Sequence, residues 1–232
     1  MPASTTDQLK QTLLGAILPH VVFDGWSPES FTAAVSEVGM TPQEAKTLCP
    51  RGAVDLAVLH HQNGDRDMQE RLAVLDLSAL PYSGKVAEAV WQRLDLIEDR
   101  EPIRRASTLF ALPHLAPLGA RLVWGTADCI WTTLGDTSRD VNWYSKRATL
   151  SGVFAASVLF WLGDDSANSV ATREFIDRRI ADVMRFEKAK AQVRETPSLR
   201  PLGRLIDTMT QGIKAPPKGP RSDVPGYWHT PK

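Results

Sequence analysis

Apolar positions recur every three or four residues along most of the chain, and no run of strand-like alternation longer than four residues is bounded by turn signals. The pattern predicts helices throughout. Leu9, Leu13, Leu14 and Ile17 share one side of a first helix that Thr5 or Thr6 caps and that Pro19 and Gly25 end. Ser27-Pro28-Glu29 reads as N-cap, first-turn proline and first-turn acid of a second helix, which carries Phe31, Val35 and Val38 and stops at Gly39. Thr41-Pro42-Gln43-Glu44 starts a third helix, and Pro50 ends it. Gly52 precedes a longer fourth with Leu56, Leu59, Leu72 and Leu75. A fifth is expected over about 83–99, a short sixth from Pro102, and a seventh over about 118–134, punctuated by Pro113 and Pro117. No internal repeat of fixed period is present.

The eighth helix is the anomaly. Asp140 or Asn142 supplies its cap, and residues 148–163 carry no charge at all. Tyr144, Ala148, Ser151, Ala155, Val158 and Leu162 fall on one line, and Trp143, Leu150, Phe154 and Trp161 on another. Both faces are apolar, which predicts a central helix buried on most sides. The uncharged run is shorter than the ~20 residues a membrane span needs, and Asp164 and Asp165 follow it. The preceding helix is similarly two-faced, with Leu118 and Leu122 on one side and Val123, Ala127, Ile130 and Leu134 on the other. Such a pair is either ordinary core or the wall of an apolar pocket. In the second case the candidate lining residues are Leu118, Leu122, Ala148, Ser151, Phe154, Ala155 and Val158.

Charge changes the picture only locally. The 232 residues carry 27 basic and 27 acidic side chains, so no global field draws the chain to nucleic acid. From Arg194 to Arg221, however, six basic residues face two acidic ones. Within this stretch, residues 198–214 form an amphipathic pattern. Leu199, Leu202, Leu205, Ile206, Met209 and Ile213 lie on one side, and Arg200, Arg204 and Lys214 on the other. Such a segment suits an anionic membrane surface, its own fold or a dimer partner, and periodicity alone does not choose. The last eighteen residues, with five prolines, read as a flexible tail. The first nineteen residues lack a basic n-region and the arginines of a transit peptide, which suggests a bacterial cytoplasmic protein. Cys49 and Cys129 have no metal-ligand spacing and read as reduced, buried thiols.

Three short helices followed by a larger helical part match the layout of TetR-type proteins, with a helix-turn-helix head and a ligand-binding body. The recognition helix would be 41–49, TPQEAKTLC. Its single lysine and single glutamate offer almost nothing to phosphates or bases. Catalytic signatures are equally scarce. The five histidines form no HExxH or ExxH motif, and GxGxxG, the P-loop and GxSxG are absent. Asp65-Arg66-Asp67 opens like a calcium loop but has Glu70 where glycine is required. Asp128 is the one candidate for a perturbed carboxylate, and a buried acid paired with an arginine is its more ordinary reading.

The stretches DGWSPE at 24–29, LPHLAP at 112–117, ADCIW at 127–131 and above all GDTSRDVNWYSKRA at 135–148 resemble the Coq-nine family of ubiquinone-biosynthesis proteins in order and spacing. The likeness covers roughly residues 10–195, and its most specific part is D-x-N-W-Y-x-x-R, here Asp140, Asn142, Trp143, Tyr144 and Arg147. The resemblance implies an all-α, TetR-like bundle. It divides into a vestigial head (1–50), a lipid-binding body (51–195), a membrane-associating amphipathic helix (196–214) and a Pro-rich tail (215–232). It implies an isoprenoid or quinone-type lipid as ligand, no catalytic cofactor or metal, and no activity of its own. It also implies association with an anionic membrane surface and with the demethoxyubiquinone hydroxylase. That partner would dock on Asp140, Asn142, Trp143, Tyr144 and Arg147, with Ile130 and Trp131 from the preceding helix. Cys129 and Thr133 depart from the family's acidic and aromatic side chains at the edge of this patch. Together these readings predict a non-catalytic lipid carrier, cytoplasmic and peripheral on the inner face of a bacterial inner membrane, with homodimerisation left open. The alternative is a ligand-responsive TetR-type repressor.

Overall fold

The computed structural model describes residues 5–195 and 214–216, with side chains over 5–185 and 214–216. The amphipathic segment lies outside the described residues except for Lys214, which is exposed, and the tail lies outside except for Ala215 and Pro216. All regular structure described is helical: α1 (Thr5–Asp24), α2 (Pro28–Glu37), α3 (Pro42–Leu48), α4 (Ala53–Val74), α5 (Tyr82–Asp95), α6 (Glu101–Phe110), α7 (Ala116–Thr133), α8 (Val141–Leu162) and α9 (Val170–Glu195). None of the described helices is long and apolar enough to cross a membrane.

The local signals act as expected at the helix starts. The Ser27 side chain accepts from Ser30 N, and Thr41 and Glu44 form a reciprocal capping box. Asp140 caps α8 by accepting from Asn142 N. Two expectations fail. Pro19 does not end α1, which continues to Asp24, because Val21 beyond it is fully buried. Packing there outweighs the ~3 kcal/mol that an interior proline costs. The fifth helix stops at Asp95 rather than near residue 99, where the Ile97 N–H turns back to Leu94 O.

Two hydrophobic clusters organise the described residues. One gathers Leu13, Leu14, Ile17, Trp26, Val35 and Leu56 from α1, the turn after it, α2 and the start of α4. The other gathers Met68, Val90, Leu94, Ile130, Leu150, Phe154, Trp161 and Ile176 from α4, α5, α7, α8 and α9. α6 bridges them: Trp26 Nε1 donates to Pro102 O at 3.0 Å and Arg105 to Val22 O at 3.0 Å. α8 is not buried on most sides. Leu150, Phe154 and Trp161 face the core, whereas Ala148, Gly152, Leu159 and Phe160 are exposed. Its apolar outer face therefore covers no second core layer among the described residues.

Candidate functional site

A cavity of about 350 Å³ lies under α6, enclosed by α4, α5, α7 and the second half of α8. Leu122, Phe154, Ala155 and Val158 line it, as the apolar stripes predict. Leu118, Ala148 and Ser151 do not. The cavity rests on α8 only from Phe154 onward, so the earlier turns of the same stripe run past its rim, and Ala148 is exposed. On α7 the wall is built by Gly119 and Ala120 instead of Leu118. A methyl group on Gly119 would stand 2.8 Å from Phe110 Cβ, so glycine permits this close approach of α6 to α7.

The sequence reading missed the roof and the floor. Ile103, Ala106 and Phe110 of α6 form the roof at helical spacing, half-buried at the edge of the two core clusters. Their spacing was the available signal. The floor is polar and has no sequence motif. His61 Nε2 lies 2.8 Å from Thr126 Oγ1, and that hydroxyl donates to Asp65 Oδ1 at 2.9 Å. Arg93, 3% exposed, donates from Nε to Asp65 at 2.8 Å and from Nη2 to His61 O at 2.9 Å. Burial, reinforced by Arg93, pushes His61 from 6.5 down to about 4, so it is neutral at pH 7. A Cβ on Gly64 would meet the Arg93 guanidinium at 2.5 Å, so the absence of a side chain there is what lets Arg93 enter.

The second feature is the corner where α7 turns into α8. Gly135 makes the turn at φ +77°, a backbone geometry that disfavours side chains. Asp136 follows, its side chain 2% exposed, accepting from Lys146 Nζ at 2.8 Å, Ser138 Oγ at 2.8 Å and Arg147 Nη1 at 3.1 Å. Burial alone would raise its pKa, but these donors outweigh it and hold the carboxyl at about 2. Arg147 also reaches Asp128 at 2.5 Å and lies 4.0 Å over the Trp143 ring. Trp143 packs edge-on to Tyr144 at 4.7 Å between ring centroids, with Trp124 beside both.

This geometry separates the proposed docking residues. Asp140, Asn142 and Tyr144 are exposed, and Trp143 and Trp131 are half-buried. Ile130 is fully buried and Arg147 is 2% exposed, so neither belongs to the surface. Ile130 is core, and Arg147 supports the corner from behind. Trp131 turns inward, donating to Lys146 O at 3.1 Å beneath the Lys146 ammonium. Asp128 is not a buried acid: its side chain is 45% exposed and it is half of the Arg147 pair. Tyr144 additionally donates to Lys214 O at 3.3 Å, and Ala215 N donates to Arg139 O at 3.0 Å, so the described C-terminal residues lie against the corner. Among the described residues no group of three or more His, Cys, Asp or Glu side chains is placed to hold a metal. Cys49 is buried and Cys129 half-buried, both as free thiols.

The family model COQ9 matches residues 116–187, which span α7, the corner, α8 and most of α9. Over that segment the chain is similar to the COQ9 family. Similar curated proteins extend the match well beyond that segment. The mitochondrial ubiquinone biosynthesis protein COQ9 of Bos taurus is 28% identical over 82% of this chain and 62% of its own length. The probable mitochondrial protein coq9 of Dictyostelium discoideum is 29% identical over 89% of this chain and 68% of its own. The human COQ9 is 27% identical over 82% of this chain and 62% of its own. The chain thus spans less than two thirds of the length of the mammalian relatives. A TetR transcriptional regulator from Nitrosomonas europaea superposes with a TM-score of 0.62 at 16% identity, over 75% of this chain and 97% of the regulator. That likeness establishes the TetR-like fold alone. The relatives' names all carry a mitochondrial designation, which overturns the expectation of a cytoplasmic protein on a bacterial inner membrane. The expectation rested on the composition of the first residues, which bears on export signals and not on the compartment of the folded chain.

Proposed function

We propose that this protein serves ubiquinone biosynthesis as a non-catalytic carrier. It holds an isoprenoid or quinone-type lipid in the cavity under α6, associates with an anionic membrane through residues 198–214, and presents the lipid to the demethoxyubiquinone hydroxylase at the α7–α8 corner. The observation that carries this reading is the shared pair of helices. α7 and α8 supply both the cavity wall (Leu122, Val123, Phe154, Ala155, Val158) and the aromatic corner (Trp143, Tyr144), so occupancy and docking would lie on the same two helices. The volume falls within the ~300–1,000 Å³ of small-molecule sites, and an apolar lining with few polar groups suits a prenyl chain. The repressor alternative shares the fold but finds little support in α3. Its capping box occupies Glu44, and the Lys46 ammonium is bonded to Pro50 O, leaving few groups for phosphate contacts.

Solvent extraction of the gently purified protein, followed by mass spectrometry, tests the proposal. An isoprenoid should co-purify, and Ala155→Trp should sharply lower its recovery while leaving the far-ultraviolet helical signal unchanged. An unmodified protein that yields no long-chain lipid would refute the carrier reading.

A further inference from the structure

The cavity under α6 has a neighbour across His60 and Arg93. A second cavity of about 570 Å³ lies on the far side, between α1 and the α5–α6 turn. The two share one wall, made by His60, Arg93, Ile97 and Ile103. Their chemistry differs. The cavity under α6 is lined mainly by aliphatic and aromatic side chains, whereas the second adds Asn63, Asp67, Glu98 and Asp99.

Two groups in the shared wall lack hydrogen-bond partners among the described residues. His60 packs its ring against Trp26 at 5.7 Å between centroids and makes no hydrogen bond. Arg93 uses Nε and Nη2 on Asp65 and His61 O, which leaves Nη1 without a partner. Both residues line the cavity, so a ligand oxygen can reach these unpartnered groups. Burial, and then Arg93, lower the basicity of His60, so its neutral ring offers one donor and one acceptor. The Arg93 charge is already met by Asp65. The carboxylates of Asp67, Glu98 and Asp99 in the second cavity then disfavour an anionic head.

We propose that His60 and the Arg93 Nη1 form the polar end of the ligand site, so that an amphiphile lies with its chain under α6 and an uncharged, oxygen-bearing head between His60 and α1. This orientation rests on the carrier reading above. A hydroxyl or carbonyl oxygen accepts from Arg93 Nη1 and from the imidazole N–H. A hydroxyl also donates to the imidazole acceptor. A phosphate meets the same donors but faces three carboxylates behind them. His60 is thus a specificity-determining residue at the edge of the chain-binding surface.

Three probes of one chain length separate these contributions: farnesol, farnesyl monophosphate and the hydrocarbon farnesane, each competed against a pyrene-labelled alkane on the full chain. Farnesol should bind about 10-fold more tightly than either of the others, the usual worth of a satisfied buried hydrogen bond. His60→Leu should bring farnesol to the level of farnesane without weakening farnesane, and His60→Gln should restore part of the preference. Farnesane binding at least as tight as in the unmodified protein shows that the variant still folds and still has its cavity. Equal or tighter binding of farnesyl monophosphate by the unmodified protein, or a farnesol preference untouched by His60→Leu, overturns the assignment of the polar end while sparing the carrier reading. Failure of all three probes to bind the unmodified protein overturns both.

Discussion

Arg93 and Arg147 do similar work at opposite sides of α7. Each is all but excluded from water, each is paired with a carboxylate, and each lies against an aromatic ring, Phe154 in one case and Trp143 in the other. Their partners contribute to the acid stability of the fold. His61 stays neutral in the folded chain down to about pH 4, while in the unfolded chain it takes up a proton near pH 6.5. Between these values the unfolded state binds more protons, so stability falls as pH drops from 6.5 to about 4. Asp136 adds a separate limb. Its folded value of about 2 lies below the ordinary 3.8, so its contribution is whole above pH 3.8 and is lost as pH falls towards 2. Urea titrations across pH should resolve the two. His61→Gln should flatten the upper limb, with His60 leaving a remainder of the same sign, and Asp136→Asn should reduce the lower, with Asp164 and Glu88 leaving a remainder of the same sign. An upper limb of undiminished slope in His61→Gln would show that His61 is not its source.

At the scale of the element, the helix starts were legible because capping is local. Ser27, Thr41 and Asp140 act within three residues of themselves, whatever the rest of the chain does. Pro19 was misread because its cost is opposed by Val21, whose burial depends on distant residues. The α8 stripe was legible as apolar but not as to which half faces a cavity and which faces water. The corner gives this distinction a measurable form on the docking proposal. Tyr144 is 36% exposed, whereas Trp143 is wedged among Arg147, Trp124 and Tyr144. Tyr144→Ala should weaken hydroxylase binding by ~2 kcal/mol or more, with a stability change of about 0.5 kcal/mol or less. Trp143→Ala should weaken binding and also lower the thermal midpoint, since it strips the Arg147 guanidinium of its ring. Calorimetric binding and melting on the same samples decide the matter. Full hydroxylase affinity in folded Tyr144→Ala would exclude the corner as the interface.

At the scale of the molecule, the proposed carrier must reach its membrane. Residues 198–214 bring six large apolar side chains, worth at most ~1.5–3 kcal/mol each on burial. Ordering the segment offsets much of that. The four excess positive charges between residues 194 and 221 add up to ~1 kcal/mol each near an anionic leaflet. Charge is therefore the adjustable part. Flotation with anionic vesicles should be strong at low salt and fall steeply as salt rises, and a chain truncated after Glu195 should no longer float. Equal flotation of the truncated and full chains would place the membrane contact elsewhere.

The sequence by itself determined what depends on neighbours in the chain. It set the helical class, the starts of the helices, the weak charge on α3, and the family to which GDTSRDVNWYSKRA points. Helical periodicity and capping are properties of short windows, and a short motif keeps its identity wherever it sits. Only the tertiary structure decided which stripes line a void and which residues support from behind. Asp65, Thr126 and Arg93 come from three helices and share no spacing, yet they meet in one network with His61. Ile130 and Trp131 are adjacent, yet one is sealed in the core and the other lies under Lys146. Burial of that kind is fixed by how helices cross, and crossing is settled by contacts between residues far apart in the chain.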